Sequence, residues 1–196
     1  MFARTPRLLL RPGWMEDAPA LAAAIGDAAV LRNLTRAPAD YGLADAETFL
    51  ARPQDPRLPN LLAFTRTKGA PRLVGGCGMH AAEDGAVELG YWIARPYWGL
   101  GFATEAARAV MHMARASGVR NVRALHFADN PASGNVLRKI GFRHNGRIER
   151  RFSLGRGAAA DCLVFEEGVF GEKGAARMVA DSSMDLYGDA APALAA

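Results

Sequence analysis

The sequence predicts a domain of the mixed α/β (α+β) class, and three observations support this prediction. Apolar stretches of strand length follow one another between residues 61 and 94, which is typical of an antiparallel meander. Helical and strand-like periodicities then alternate between residues 102 and 165. The chain has 196 residues, of which 50% are hydrophobic and 22% are charged, as in a globular protein of about one domain.

The first sixty residues predict one strand and two helices. The apolar residues 8–11 suit a short strand. At residues 17–25 the apolar positions recur three and four apart, which is the spacing of an amphipathic helix. A second helix is predicted at residues 45–51, before Pro53 and Pro56 end the pattern.

The middle of the chain predicts a meander that leads into a helix. The three strands are separated by turn-forming residues and lie at residues 61–65, 72–80 and 86–94. The helix is predicted at residues 102–117, because apolar side chains recur on one face and Gly118 provides a stop. A buried strand at residues 122–127 and a short helix at residues 132–140 follow.

The remaining residues predict a closing hairpin and an extension. The strands of the hairpin lie at residues 142–154 and 161–165. They are joined by a flexible Gly- and Ala-rich connection at residues 155–160. We expect one domain at residues 1–170 and a C-terminal extension at residues 171–196, which is poor in large apolar residues. A docked segment is expected around residues 178–186.

Charge and cysteine usage narrow the classes of function. The formal net charge of +4 favours an anionic partner without identifying it. The dense basic cluster of Arg147, Arg150 and Arg151 is interpreted as a solvated strand face, so no nucleic-acid partner is expected. Cys77 and Cys162 fit no metal-ligand spacing. We therefore expect two reduced, half-buried thiols and no metal site.

The N-terminal region predicts a protein without membrane contact. Its longest apolar run ends at Arg11, far short of the roughly 18 residues that span a bilayer. It also lacks the apolar core of a secretory signal. We therefore expect a cytoplasmic protein, either a monomer or a homodimer.

The most informative segment is residues 88–106, which read ELGYWIARPYWGLGFATEA. Here a strand runs into a turn that contains Gly99 and Gly101, and the turn opens a helix. The free N–H groups and the dipole of a helix N-terminus favour an anion. Glycines also let a phosphate approach the main chain closely. We expect a pyrophosphate at this turn.

Two nucleotide-binding motifs fit this turn poorly. A Walker A loop needs Gly-Lys-Ser/Thr, whereas Phe102 and Ala103 follow Gly101. A dinucleotide fingerprint needs a third glycine where Thr104 stands, and its strand belongs to a parallel unit rather than a meander. A dinucleotide-dependent enzyme is therefore the weaker alternative.

Two segments together resemble the GCN5-related N-acetyltransferase (GNAT) superfamily, and within it the Rim-like enzymes that acetylate protein N-termini. Residues 88–106 are similar to the acetyl-coenzyme A motif of that superfamily. Residues 130–142, which read NPASGNVLRKIGF, are similar to its second cofactor motif. Their order and separation also match, and a weaker resemblance covers residues 7–168. One departure is Pro96, where many members carry Gln or Arg.

The resemblance implies the GNAT fold, which has a mixed, mainly antiparallel central sheet with flanking helices, and it implies a set of cofactor contacts. In the superfamily two strands, here residues 86–94 and 122–127, splay apart and admit the pantetheine arm of acetyl-CoA. The first strand meets the pantetheine and thioester, the glycine turn binds the pyrophosphate, and the second motif reaches the pantetheine amides. The cofactor-binding residues implied in this way are Trp92, Ile93, Ala94, Gly99, Gly101, Phe102, Ala103, Thr104, Asn130, Ser133 and Asn135. An alternative stays open for several of these residues. The side chains of Trp92 and Ile93 could simply belong to the hydrophobic core, and Asn130 could act only as the cap of a helix.

The implied reaction is direct transfer of the acetyl group from acetyl-CoA to a primary amine. It needs a proton acceptor for the amine, a donor for the oxyanion and an acid for the thiolate. A backbone N–H near Ile93 is the candidate oxyanion donor. Many members use as acid a Tyr seven residues after the motif Asn, where this chain has Leu137. Ser133, which does this work in some Rim-like enzymes, is therefore the candidate acid.

Two residues are candidates for the proton acceptor. Glu88 matches the Glu of the superfamily pattern, with a structural ion pair as the alternative. His126 has the more suitable intrinsic pKa, although a lone strand histidine is more often structural. The other histidines, His80, His112 and His144, lie in no motif.

The amine acceptor is the least determined part of the prediction. The resemblance favours a peptide or protein N-terminus, and a small amine such as a polyamine, amino acid or antibiotic is the alternative. A catalytically silent acyl-CoA-binding or regulatory module is a further alternative. Acceptor specificity is expected from residues 33–60 and 147–161. The arginines there that are candidates to attract an acidic acceptor are Arg36, Arg147, Arg150 and Arg151.

Overall fold

The computed structural model describes residues 1–66, 69–82 and 84–168. The predicted extension at residues 171–196, with its docked segment around 178–186, lies outside the described residues. So does the predicted domain end at residue 170. Within the described ranges, no helix has both the length and the apolar character needed to cross a membrane.

One mixed sheet runs through the described part of the chain. Its eight strands are β1 (Ala3–Arg4), β2 (Leu8–Arg11), β3 (Asn60–Thr65), β4 (Leu73–Ala81), β5 (Val87–Ile93), β6 (Val122–Phe127), β7 (Phe142–Ser153) and β8 (Ala158–Glu167). Their spatial order is β1-β2-β3-β4-β5-β6-β8-β7. Neighbouring strands are antiparallel except β5 and β6, which are parallel. The prediction of a mixed, mainly antiparallel sheet in an α/β fold is confirmed.

Helices cover both faces of this sheet. The α-helices of the described ranges are α1 (Ala18–Ile25), α2 (Ala28–Leu31), α3 (Leu43–Ala51), α4 (Phe102–Ala116) and α5 (Pro131–Lys139). Short 3-10 turns lie at Met15–Asp17 and Arg95–Tyr97. Every predicted strand and helix is present. The sequence does not predict β1 and α2, because 2 and 4 residues are too few to display a periodicity.

The hairpin of β7 and β8 closes more tightly than the sequence predicts. Ala158 pairs with Ser153 and Ala160 pairs with Arg151, so residues 158–160 belong to β8. The expectation of a flexible connection throughout residues 155–160 is therefore wrong. Pairing with β7 outweighs the weak intrinsic strand preference of alanine.

Two hydrophobic clusters lie on opposite faces of the sheet. The larger cluster packs α4 and α5 against the sheet and includes Val110 and Leu137. The smaller cluster packs α1 to α3 against the other face and includes Leu21. Successive residues of β3 contribute to different clusters, Leu61 to the larger and Leu62 to the smaller, because strand side chains alternate between faces.

Both cysteines are free thiols inside the sheet. Cys77 lies on β4 and Cys162 on β8, and each is only 2% exposed. They are therefore buried rather than half-buried as predicted, because both strands have neighbours on each side. Burial raises the pKa of both thiols, that of Cys162 to about 11. Among the described residues, no group of three or more His, Cys, Asp or Glu could hold a metal ion.

The two parallel strands separate part-way along their length. Pairing between β5 and β6 extends from Val87 and Val122 to Leu89 and Ala124. From Gly90 onwards β5 pairs with β4 alone, and the end of β6 pairs with β8 alone. A gap therefore opens between the strands in the direction of the N-termini of α4 and α5.

Candidate active site

A left-handed glycine turn opens the N-terminus of α4 at one end of this gap. Gly99 has φ +75° and Gly101 has φ +81°. Residues other than glycine rarely adopt such positive φ angles. The first backbone N–H of this helix to bond a main-chain carbonyl is that of Glu105, which donates to Gly101 O at 3.1 Å. The N–H groups of Phe102, Ala103 and Thr104 precede it in the first helical turn, so they are available to an anion.

Arg7 holds this turn against the N-terminal strands. Its Nη1 donates to the Leu100 carbonyl oxygen at 2.8 Å, and its Nη2 lies 2.7 Å from Glu105 Oε2. The guanidinium also lies 4.4 Å from the centroid of the Phe102 ring. Burial opposes ionisation of Glu105, but hydrogen bonds from Thr5 and Arg7 outweigh it and lower the pKa of Glu105. The glycine turn is thus anchored by an ion pair outside the sequence motif.

The start of α5 faces the gap from the other strand. Asn130 caps this helix, since its Oδ1 accepts from Ser133 N at 3.3 Å. Tyr91 of β5 reaches across the gap: its hydroxyl donates to the Ser133 carbonyl oxygen at 2.8 Å and lies 2.9 Å from Ser133 Oγ. Because a carbonyl only accepts and the tyrosine hydroxyl has one proton, Ser133 Oγ is the donor in the second contact. Burial raises the pKa of Tyr91, which stays protonated at neutral pH.

A glycine-lined floor continues from the gap on the face covered by α1 to α3. A Cβ atom at Gly76 would lie 2.6 Å from Trp92 Nε1, and one at Gly78 would lie 2.7 Å from Asn60 Oδ1. At Gly90 the nearest atom to such a Cβ is 4.0 Å away, in the His80 ring. The Trp92 and Asn60 side chains therefore cover Gly76 and Gly78, and the floor is bare at Gly90, between Trp92 and His80, where a substrate can approach the backbone.

Glu88 lies at the closed end of the gap, within a cluster of charges. It is 8% exposed, and its Oε1 accepts from Arg123 Nε at 2.9 Å and from Arg151 Nη2 at 3.1 Å. Its Oε2 lies 3.2 Å from His80 Nε2. The hydrogen bond from His80 and those from the guanidiniums outweigh desolvation and lower the pKa of Glu88 to about 2. Glu88 is therefore a stable anion shared by β4, β5, β6 and β7.

His126 lies on the opposite face of the sheet from Glu88. It is 7% exposed and contacts α5, since a Cβ at Gly134 would lie 2.6 Å from its Nε2. Its Nδ1 donates to the Phe127 carbonyl oxygen at 2.8 Å, whereas its Nε2 is buried without a hydrogen-bond partner. Burial lowers the pKa of His126, so the imidazole is neutral at pH 7. The structure does not bring the two predicted proton acceptors together.

One open cavity of about 1220 Å³ joins these features. It exceeds the usual size of a site for a single small ligand. The predicted site residues that line it are Glu88, Trp92, Ile93, Gly99, Gly101, Phe102, Ala103, Thr104, His126, Asn130, Ser133 and Asn135. Ala94 is outside this lining, and its N–H donates to the Val74 carbonyl oxygen at 2.8 Å.

A family profile described as "Acetyltransferase (GNAT) domain" matches residues 7–143. The chain belongs to the GNAT acetyltransferase family. Membership makes the chain an acyltransferase. It also accounts for the splayed strands and the glycine turn that the sequence resemblance implies.

Relatives in sequence and structure agree with this GNAT assignment. The chain is 30% identical over 174 residues to the uncharacterized N-acetyltransferase YoaA of Bacillus subtilis, covering 82% of this chain and 93% of that protein. A GNAT-family acetyltransferase from Bacillus anthracis shares the fold with a TM-score of 0.71 at 22% identity, covering 85% of this chain and 97% of that one. RimL, a ribosomal L7/L12 α-N-protein acetyltransferase in complex with coenzyme A, has a TM-score of 0.69 at 19% identity, with 85% and 97% covered.

The sequence motifs leave out several residues that shape this GNAT site. His80 lies in no motif, although the short turn between β4 and β5 places it opposite Glu88 in the strand register. Arg151 is interpreted from the sequence as part of a solvated face, yet it bonds Glu88. Arg147 and Arg150 are exposed as predicted. The contacts of Arg7 and Arg123 join distant segments, which no local pattern reveals.

Substitution of Glu88 by Gln is expected to destabilise the protein by about 2 kcal/mol at neutral pH, because Arg123 and Arg151 lose a half-buried anion. The pKa of Glu88 is lowered from 4.5 to about 2 by folding, so this stabilisation is present above pH 4.5 and declines as the pH falls towards 2. Urea unfolding at neutral pH and near pH 3 measures both effects.

The control for Glu88 is Asp55→Asn, which breaks the exposed pair with Arg57 and should change stability little. A loss of stability for Glu88→Gln that is equal at the two pH values would contradict the assignment of Glu88 as a paired anion.

Proposed function

We propose that the chain transfers the acetyl group of acetyl-CoA to the N-terminal amine of a peptide or protein, with both substrates bound together. The observation that carries this proposal is the single cavity, which continues from the glycine turn through the gap between β5 and β6 to the glycine floor. Similarity to RimL, whose name describes an α-N-protein acetyltransferase, supports the choice of acceptor. A cytoplasmic location is part of the same proposal.

The residues around the gap fit coenzyme A. The N–H groups of the first turn of α4 and the left-handed Gly99 and Gly101 form a cradle for pyrophosphate. Gly90 to Ile93 have no strand partner on the β6 side. The Ile93 carbonyl accepts from Trp98 Nε1 at 2.6 Å, and the other backbone groups of this edge can pair with the amides of the pantetheine arm. Asn130 and Asn135 line the same cavity from α5. RimL, which shares this fold, is in complex with coenzyme A.

Acetyl-CoA supplies an activated acetyl group as its thioester. The chain contributes orientation along the β5 edge, where backbone N–H groups near Ile93 are the proposed donors to the carbonyl oxygen. Ser133 is the proposed proton donor beside the gap, and its hydroxyl proton would turn from the Tyr91 oxygen to the departing sulfur. Leu137, at the position where many relatives carry the tyrosine acid, is fully buried in the larger cluster and faces away from the reaction.

The function is tested by incubating the full chain with acetyl-CoA and a panel of amines, with coenzyme A release and the mass of the products as readouts. The panel contains peptides with different N-terminal residues, free amino acids, polyamines and aminoglycosides. We expect a mass increase of one acetyl group at peptide N-termini. Faster transfer to a small amine would overturn the acceptor class, and cofactor binding without transfer to any amine would overturn the enzymatic proposal.

Replacing Ser133 by Ala is expected to lower kcat by about 10- to 100-fold, because the departing thiolate loses its proton donor. The affinity for coenzyme A, measured by calorimetry, should stay within about twofold. The control is Ser117→Ala at the exposed end of α4, outside the cavity. A wild-type kcat in Ser133→Ala would exclude Ser133 as the acid.

Replacing Arg7 by Ala is expected to raise the Kd for coenzyme A by about 5- to 10-fold, since the glycine turn loses its anchor to Leu100 and Glu105. Turnover at saturating acetyl-CoA should be retained. Arg4→Ala removes the same charge from the neighbouring strand β1 and serves as the control. Equal changes in the two variants would attribute the effect to net charge and contradict a specific role for Arg7.

A further inference from the structure

His80 lies directly opposite Glu88 in the register of β4 and β5. Its Nε2 is 3.2 Å from Glu88 Oε2, and an ionised carboxylate only accepts hydrogen bonds. The proton of the neutral ring therefore lies on Nε2, and the lone pair lies on Nδ1. Nδ1 has no hydrogen-bond partner among the described residues, and the side chain is 36% exposed where it lines the cavity.

The carboxylate itself is poorly suited to accept a proton. Two guanidiniums, those of Arg123 and Arg151, bond its Oε1, and His80 occupies its Oε2. The hydrogen bond from His80, followed by the contacts with the two guanidiniums, lowers the pKa of Glu88 to about 2 against the effect of burial. Because its pKa is this low, Glu88 is a very weak base at neutral pH.

The position of His80 suits an amine substrate. Its ring borders Gly90, where no side chain covers the sheet, and Gly78 lies two residues before it on the same face of β4. The bare position at Gly90 therefore lies between Trp92 and the imidazole. His126, which also lines the cavity, is buried and faces α5 on the opposite side of the sheet, and its free nitrogen is enclosed by protein.

We propose that His80 Nδ1 is the proton acceptor for the acceptor amine, directly or through one water, and that Glu88 is a positioning residue that fixes the ring and its tautomer. This proposal rests on the proposed acetyl transfer. The substrate ammonium gives one proton to His80, and the neutral nitrogen then forms the C–N bond while the C–S bond breaks. The nitrogen loses a second proton as the amide forms. One of the two protons ends on the coenzyme A sulfur, and the other leaves to solvent.

The charged groups around His80 lie on strands β5, β6 and β7. Glu88 of β5 is the anion in contact with the ring. Arg123 of β6 and Arg151 of β7 are the cations that lie behind Glu88. Each is itself shared with a second carboxylate, Asp84 for Arg123 and Glu149 for Arg151. The cluster therefore keeps Glu88 ionised and holds the His80 ring by Nε2, with Nδ1 left without a partner among the described residues.

The test is the pH dependence of kcat/KM for the amine in the wild type and in His80→Gln, with acetyl-CoA saturating. Glutamine still donates to Glu88 but has no basic lone pair. We expect kcat/KM of His80→Gln to be about 100-fold lower at neutral pH, with the KM for acetyl-CoA within about twofold of the wild type. We also expect this variant to lose the increase of kcat/KM with pH that a basic group of the protein causes. His112→Gln, at an exposed position of α4, is the matched control and should behave like the wild type.

A wild-type rate and pH profile in His80→Gln would overturn the assignment of His80 alone, because the wild type would still transfer acetyl groups. Absence of transfer by the wild type would overturn the proposed function instead. NMR of the ring nitrogens gives a readout that is independent of turnover. The neutral Nε2–H tautomer of His80 is expected in the wild type, and an Nδ1–H tautomer would contradict the proposal.

Discussion

The separation of β5 from β6 after their pairing at Leu89 and Ala124 is the constraint on which the site depends. Each strand can leave the other because it keeps a neighbour on its second side, β4 for β5 and β8 for β6. Only the facing edges are left without strand partners, and although Trp98 Nε1 donates to the Ile93 carbonyl, the remaining backbone groups are costly to leave unpaired unless a ligand or water satisfies them. The fold thus maintains a slot of backbone hydrogen-bonding groups that a chain of amides can fill. Because β5 and β6 are parallel, α4 and α5, which follow them, both begin at the same end of this slot.

At the closed end of the slot, a charge cluster joins the strands that the gap would otherwise separate. Glu88 connects β5 to Arg123 of β6, to Arg151 of β7 and to His80 of β4. The cluster lies where β5 and β6 are still paired, so it stabilises the last closed position before the strands diverge. The same contacts suppress the basicity of Glu88 and hold His80 beside Gly90 on the glycine floor. Glu88 therefore has the structural role and His80 the proposed chemical role, and the two residues face each other in the hairpin of β4 and β5.

Secondary structure and the location of the site were accessible from the sequence because each depends on local patterns. The strands, the helices and the glycine turn follow from periodicity and from residues such as Gly101 that mark a change of direction. β1 and α2 are too short for such a pattern, and the pairing of Ala158 to Ala160 depends on β7 rather than on alanine itself. Burial of Cys77 likewise depends on which strands become its neighbours.

The chemistry of the site was less accessible because it depends on long-range register. A motif selects Glu88 as a carboxylate at the right place, but its capacity to accept a proton is determined by Arg123 and Arg151, which lie 35 and 63 residues away. The contact between His80 and Glu88 was easier to predict from the sequence. β4 and β5 follow one another along the chain as an antiparallel pair, so residues close to the connection lie opposite each other. A carboxylate that balances two guanidiniums cannot also serve as an efficient base, whereas the imidazole that this carboxylate orients keeps Nδ1 without a partner among the described residues. Assigning proton transfer in this fold therefore requires the partners of each acid and base, in addition to its position in a motif.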